Sequence, residues 1–410
     1  MKKHTKLFII LGIFFTLCVS LILTRNNKVN NIYEETSNNR EIKKSFSNGL
    51  ALMLETEANS GNYEMTTATS WPTEGYVFNT TLSKCENGSE LSWDDTNKKV
   101  LMSGNVSDKC YVYFDIYVPP TIADFCSSGD TLATCVKNFG DQGSDISNIY
   151  IHNSSLANGA GDNSYRYAGA SDAVNNYVCF GSSTAPCPDD NLYRIIGVFG
   201  DKVKLIKSTS VGNKAWDSNG SNTWSASSLN SYLNNGFINT FDETAKGKID
   251  TTTWKVGGNT YANIGRQPAK TAYQNEIVNP VTTNSTDNKT EYSAKIGLMY
   301  ASDYGFAAAP SAWTANLDGY NGAAIKSVNW MYKELGEWTV SRFADDASNV
   351  FLVNYSGHVS YNLAYRIIAV RPVFNLTSSV NYVSGSGSST DPVLISWLTD
   401  SFEKTSVKPG

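Results

Sequence analysis

The chain runs to 410 residues, which gives room for two or three domains, and carries a net charge of −5. Hydrophobic residues make up 41% and charged residues only 17%, so a sizeable core can form and the surface must come mainly from Ser, Thr, Asn and Gly. No Lys/Arg cluster lies in the body of the chain, which excludes nucleic acid as a partner, because phosphate binding needs a concentrated basic patch.

The first predicted element is a membrane anchor. Met1 to Lys6 is a basic start, and Leu7 to Thr24 carries no formal charge. That run sits at the lower edge of a membrane-spanning helix and exceeds most signal-peptide cores. Neither Val19-Ser20-Leu21 nor Leu23-Thr24-Arg25 is a small-x-small cleavage site, and Phe15-Thr16-Leu17 lacks the small residue that precedes a lipidated cysteine such as Cys18. Residues 1–24 therefore read as an uncleaved signal anchor, which places the protein in the cell membrane, single-pass, with the bulk of the chain extracellular. Residues 25–62 read as a helical stalk, because Ile42, Phe46, Leu50 and Met53-Leu54 recur every three or four positions.

Residues 63–120 read as a small all-β module. Strand-like pieces at Gly75–Phe78, Glu90–Trp93, Val100–Met102 and Cys110–Phe114 alternate with turn-rich pieces such as Asn87-Gly88 and Ser103-Gly104-Asn105. Pro119-Pro120 is a stiff linker. The main domain spans 121–395. A helix carrying Cys126 and Cys135 opens it, and Asn191–Phe199 pairs with Val203–Ile206 through the Gly200-Asp201-Lys202 turn. Leu229, Tyr232-Leu233, Phe237 and Phe241 fall at helical spacing behind an N-cap at Ser227 or Ser228. Ile296–Tyr304 reads as a strand followed by a helical turn, and Leu335–Leu376 as short antiparallel strands. Residues 396–410 form a tail.

Three blocks in order carry a resemblance. They are Trp224 with the Ser-Leu step into Leu233-Asn234, then Ile296–Tyr304, then Glu337-Trp338 through Val340-Ser341-Arg342 to Val370-Arg371-Pro372-Val373-Phe374. Together they resemble bacterial C-type-lectin-like domains, relatives of the formylglycine-generating, sulfatase-modifying fold. The resemblance implies an α+β head of short antiparallel sheets and helices, and an extracellular recognition role. No Cys follows Cys187, which removes the oxidase chemistry of the enzymatic relatives. The calcium-binding triplet of sugar-binding relatives is also missing, since Ala269 follows Gln267-Pro268. Arg342 and Arg371 match the family's strand-end arginines, and a buried Arg paired with a carboxylate is the expectation for both.

Beyond Cys18, the cysteines fall as Cys85/Cys110, Cys126/Cys135 and Cys179/Cys187. Many connectivities satisfy six cysteines, and the nearest-neighbour scheme gives three local bridges. The spacing offers no zinc knuckle, and three local disulfides point to an oxidising compartment. The three histidines, His4, His152 and His358, form no helical His-x-x-x-His pair, and no Gly-x-Ser-x-Gly elbow accompanies them. No catalytic residue, metal site or cofactor is expected. Aromatics remain: Trp216, Trp224, Trp254, Trp313, Tyr320 and Trp330 stand among Gly, Asn and Ser. Trp224 and Trp338 open family blocks and read as core. The segment after the central strand looks like an exposed loop, so Trp313, Asp318, Tyr320 and Trp330 are the expected ligand contacts. The expected function is non-enzymatic surface recognition or adhesion, with a glycan, peptide or surface protein as ligand. A pilin-like assembly subunit and a cryptic hydrolase are the rival readings.

Overall fold

The computed structural model describes residues 39–41, 50–66, 68, 70–105, 107–281 and 289–396. The chain divides into two compact units, Met1–Pro119 and Pro120–Gly410, with Pro119-Pro120 at the boundary.

The described residues of the first unit form eight strands: β1 (Asn39–Glu41), β2 (Leu50–Glu55), β3 (Tyr63–Met65), β4 (Tyr76–Phe78), β5 (Lys84–Cys85), β6 (Glu90–Asp94), β7 (Lys99–Ser103) and β8 (Cys110–Ile116). They make a three-stranded sheet in the order β1-β7-β6 and a five-stranded sheet in the order β3-β2-β8-β4, with β5 also on β8. Alternation explains the core: Val100 and Met102 of β7 and Cys110, Val112 and Phe114 of β8 point inward, with their neighbours more exposed. Within the described part of 25–62, strand stands where a helical stalk was expected. Leu50–Glu55 is a strand, paired antiparallel with β3 and parallel with β8. Leu50 and Leu52 are buried with Ala51 between them, a period-two pattern that a short apolar run shares with one face of a helix.

The anchor expected over 1–24 lies outside the described residues. Among the described residues no helix is long and apolar enough to cross a membrane. The membrane-anchor helix, and the single-pass membrane localisation drawn from it, are therefore withdrawn.

The second unit continues with β9 (Ile149–Ile151), β10 (Tyr165–Tyr167), β11 (Tyr177–Cys179), β12 (Leu192–Phe199), β13 (Lys202–Lys207), β14 (Asn213–Ala215), β15 (Thr252–Lys255), β16 (Gly258–Asn259) and β17 (Glu291–Ala294). It closes with β18 (Ile296–Gly297), β19 (Glu337–Phe343), β20 (Asn349–Val353), β21 (Val359–Leu363), β22 (Ile367–Ala369), β23 (Val373–Asn375), β24 (Tyr382–Ser384) and β25 (Val393–Ile395). One sheet runs β18-β23-β13-β12-β11-β25-β24, with β10 on β12 and β9 beyond it. A second runs β14-β22-β19-β20-β21 with β16 on β19, and β15 pairs with β17. The expected C-type-lectin-like head of short antiparallel sheets is corrected to a mixed α/β arrangement. β11 pairs parallel with β25, and β19 pairs parallel with both β16 and β22. Alternating apolar patterns report which face is buried, not strand direction, so sequence periodicity could not separate the two.

The predicted hairpin forms as β12 and β13 around Gly200, which sits at φ +66°. Helix Leu132–Gly140 starts at Thr131, whose side chain accepts a hydrogen bond from the Thr134 N–H, and buries Leu132, Val136 and Phe139 against the sheet. Ser227 caps the turn at Ser228–Ser231 in the same way through the Asn230 N–H. Trp224 and Trp338 are both core residues. Gly197 of β12 has a specific purpose: a Cβ there would stand 2.3 Å from the Tyr165 carbonyl oxygen, so only glycine lets β10 close on β12.

Candidate functional site

β10, so admitted, delivers Arg166 into the interior. Its guanidinium lies 4.7 Å from the Phe199 ring, 4.9 Å from Phe306 and 5.2 Å from Tyr273. Arg166 Nε donates to Ser164 Oγ (2.7 Å), and Nη2 donates to Asp162 Oδ2 (2.6 Å). Lys204 projects from β13 and donates through Nζ to Asp303 Oδ2 at 2.5 Å, with the Tyr300 ring centroid 4.6 Å from the ammonium. Asp303 also closes the N-terminus of helix Ala301–Phe306, accepting from the Tyr300 N–H at 3.0 Å. Arg166 Nη1 and Asp303 Oδ1 face each other at 3.7 Å.

These groups form the floor of a cavity of about 210 Å³. Its walls are ring faces and apolar side chains: Phe199, Trp254, Tyr273, Ile277 and Tyr300. Thr252, Thr253, Lys255 and Asn375 complete the lining. Trp254 is held in place by its Nε1–H bond to the Ala294 carbonyl and by packing on Gly297, where a Cβ would come within 2.7 Å of the indole. Burial by itself would raise the Asp162 carboxyl, but the Arg166 charge and the Ser164 hydrogen bonds outweigh it and hold the group at about 2. Burial draws Lys204 below its ordinary value, against the opposing pull of Asp303. Burial, and then the neighbouring Asp162, pushes the Tyr273 phenol up. The floor thus pairs two basic side chains, Arg166 and Lys204, with two acidic ones, Asp162 and Asp303.

Concavities elsewhere differ in character. One, about 570 Å³, is an open groove beside Lys326, Glu334, Tyr355 and His358. Another, about 300 Å³, lies in the first unit against Tyr76, Phe78 and Trp93. Neither has buried charged side chains in its lining, as the cavity above Arg166 and Lys204 does.

The expected ligand contacts lie elsewhere in the second unit. Trp313 and Trp330 are fully buried, their indole N–H groups donating to the Ala308 and Tyr167 carbonyls. Tyr320 is buried, with its hydroxyl directed at the Gly305 and Ala312 carbonyls. Asp318 is partly exposed and sits 4.0 Å from Arg266. The segment looked like a loop because it is rich in Ala, Gly and Asn, yet its rings fill space beneath helix Ala301–Phe306. Arg371 meets its expectation: it is buried in a fork with Glu337, at 2.5 and 2.8 Å. Arg342 is buried as well and donates to the backbone carbonyls of Gly257 and Lys289. The three disulfides form as expected, Cys85–Cys110, Cys126–Cys135 and Cys179–Cys187.

Of the cavity residues, only Trp254 stood out in the sequence. Arg166 was not singled out, and Lys204 and Asp303 entered only as members of the predicted hairpin and of the Ile296–Tyr304 block. The available signal was the apolar setting of Lys204, flanked by Val203 and Leu205 in a strand with both faces covered.

Residues 200–378 match a family described only as a domain of unknown function, DUF6273. That segment includes Lys204, Trp254, Tyr273, Tyr300, Asp303 and Asn375, while Asp162, Arg166 and Phe199 lie outside it. No curated protein and no solved structure matches the chain.

Proposed function

We propose that the second unit is a non-enzymatic recognition domain of an exported protein, taking one small group of its ligand into the cavity. The ligand is a glycan, a peptide or a surface protein, and the inserted group is a single ring or side chain. The observation that carries this reading is the cavity itself, with aromatic walls over a floor of ion pairs whose positions are locked by hydrogen bonds. Binding sites combine an apolar concave lining with a few fixed polar groups in this manner. At about 210 Å³ the space is smaller than the sites of drug-sized ligands, roughly 300–1,000 Å³, which favours one small group over a whole extended ligand.

Turnover finds little support in the lining. It holds no histidine, cysteine or serine. Asp162, held at about 2, is too weak a base for proton abstraction near neutral pH. Three disulfides support an oxidising compartment.

The test is a screen of the purified chain against glycan and peptide arrays, repeated with Tyr273→Ala, which removes one partly exposed wall. The expected result is a hit weakened by about tenfold or more in the variant, the scale of an aromatic contact. A hit indifferent to Tyr273→Ala moves the binding site away from the cavity, and a probe that is chemically converted makes the protein an enzyme.

A further inference from the structure

Resting on the recognition reading above, we propose that the cavity selects a neutral hydroxylated ring, the chemistry of an uncharged sugar, over acidic or basic groups. Charge balance is the first argument. Arg166 and Lys204 are matched by Asp162 and Asp303, and Lys255 in the lining is paired with Glu291. An incoming carboxylate or ammonium would give up its hydration without meeting a complementary net charge.

The hydrogen-bond inventory is the second argument, and the sharper one. Arg166 Nη1 and Asp303 Oδ1 stand 3.7 Å apart, beyond hydrogen-bond range, and among the described residues neither makes any other hydrogen bond. An unused donor thus sits beside an unused acceptor at the bottom of the cavity. A hydroxyl donates and accepts at once, so a single one can satisfy both atoms. A carboxylate would satisfy Nη1 and be repelled by Oδ1, and an ammonium would do the reverse. Lys204 uses only one of its three N–H donors in a hydrogen bond.

Shape is the third argument. Ring faces of Trp254, Tyr300, Phe199 and Tyr273 leave room for a flat apolar C–H face while the floor reads the hydroxyl edge.

The experiment uses the full chain, with saturation-transfer NMR and calorimetry. The probes are the methyl glycosides of glucose, galactose and N-acetylglucosamine, the matched uronic acids, glucosamine and a set of short neutral peptides. At least one neutral glycoside is expected to bind, and its acidic and amino counterparts to bind about tenfold weaker or worse, the scale of an unmatched charge-assisted bond. Asp303→Asn removes one negative charge from the floor and is expected to shift the preference toward the acid probe. If that variant does not fold, Asp162→Asn, at the more accessible end of the network, takes out one negative charge while leaving the Arg166–Asp303 gap, and the same shift is expected. An acid or amine probe that equals or exceeds its neutral counterpart on the parent overturns the assignment. Peptides that bind in a Tyr273-dependent way where no sugar does overturn it too, and leave the recognition reading standing. Binding by no probe of either class overturns both.

Discussion

Burial pushes the His152 imidazole down to about 2, and the nearby Arg166 charge adds to the effect. The ring is fully buried, accepts the Ala160 N–H at Nδ1 and packs edge-on against Phe306. It stays neutral in the fold, while the unfolded chain takes up a proton as pH falls below the ordinary 6.5. The unfolded state then binds more protons between 6.5 and about 2, so acidification through that window erodes stability. Glu276 works in the opposite direction. Burial pushes its carboxyl up to about 8, so the fold retains a proton that the unfolded chain loses above the ordinary 4.5. That contribution is complete below 4.5 and is lost as pH rises toward about 8. Glu276→Gln keeps the neutral shape, and its melting temperature is expected to hold level from pH 6.5 to 8, above the His152 window, where the parent's declines. The difference is a matter of degrees, on the order of 2–4 °C for each 1 kcal/mol in a unit of this size. A parent profile flat over the same range would show Glu276 to be ionised in the fold. Trp313 supplies the second residue-scale prediction. Its ring packs against Tyr150, His152 and Phe306, so Trp313→Ala is expected to destabilise by about 3–5 kcal/mol in denaturant unfolding. A variant that unfolds like the parent would mean the ring is dispensable to the core.

At the level of single elements, the two units depend on their cross-links to different degrees. Among the described residues the core of the first has seven buried hydrophobic residues, from Leu50 to Phe114, and the Cys85–Cys110 bridge ties β5 to β8 beside it. Loss of a bridge from so small a core costs about 2–5 kcal/mol. Cys85→Ser with Cys110→Ser is therefore expected to leave residues 50–116 open to protease under conditions where residues 120–396 resist. Equal resistance would show that the aromatic cluster of Phe78, Trp93 and Phe114 holds the unit unaided. Elements with local causes were legible in the sequence. The β12–β13 hairpin has its turn glycine, the Ser228 turn has its cap, and each disulfide closes a short loop. Leu50–Glu55 was misread because six apolar-rich residues satisfy helical and strand spacing equally. The cavity was not legible, because Arg166 and Asp303 are brought together by a crossing of β10 over Gly197 that no local pattern records.

On the scale of the whole second unit, strand neighbours in space are often remote in sequence. β23 inserts between β18 and β13, and the central β19 gathers β16, β20 and β22 from three separate regions. Pattern reading recovers which faces of such strands are buried, as the continuous burial of β12 and β19 shows, but not who pairs with whom. The same order has a bearing on when the protein can fold during synthesis. β25 lies between β11 and β24, with Val393 beside Val178 and Leu394 beside Cys179. β11 thus has one edge vacant until more than two hundred further residues have been made, and the Cys179–Cys187 loop adjoins that edge. A nascent chain short of β25 is expected to expose an unpaired strand edge, a template for wrong pairing, and so to need a holding partner or rapid completion. A chain ended after residue 390 should accordingly aggregate or be cut between 170 and 190 in limited proteolysis, and a soluble, protease-resistant product would show that the sheet closes without its last strand.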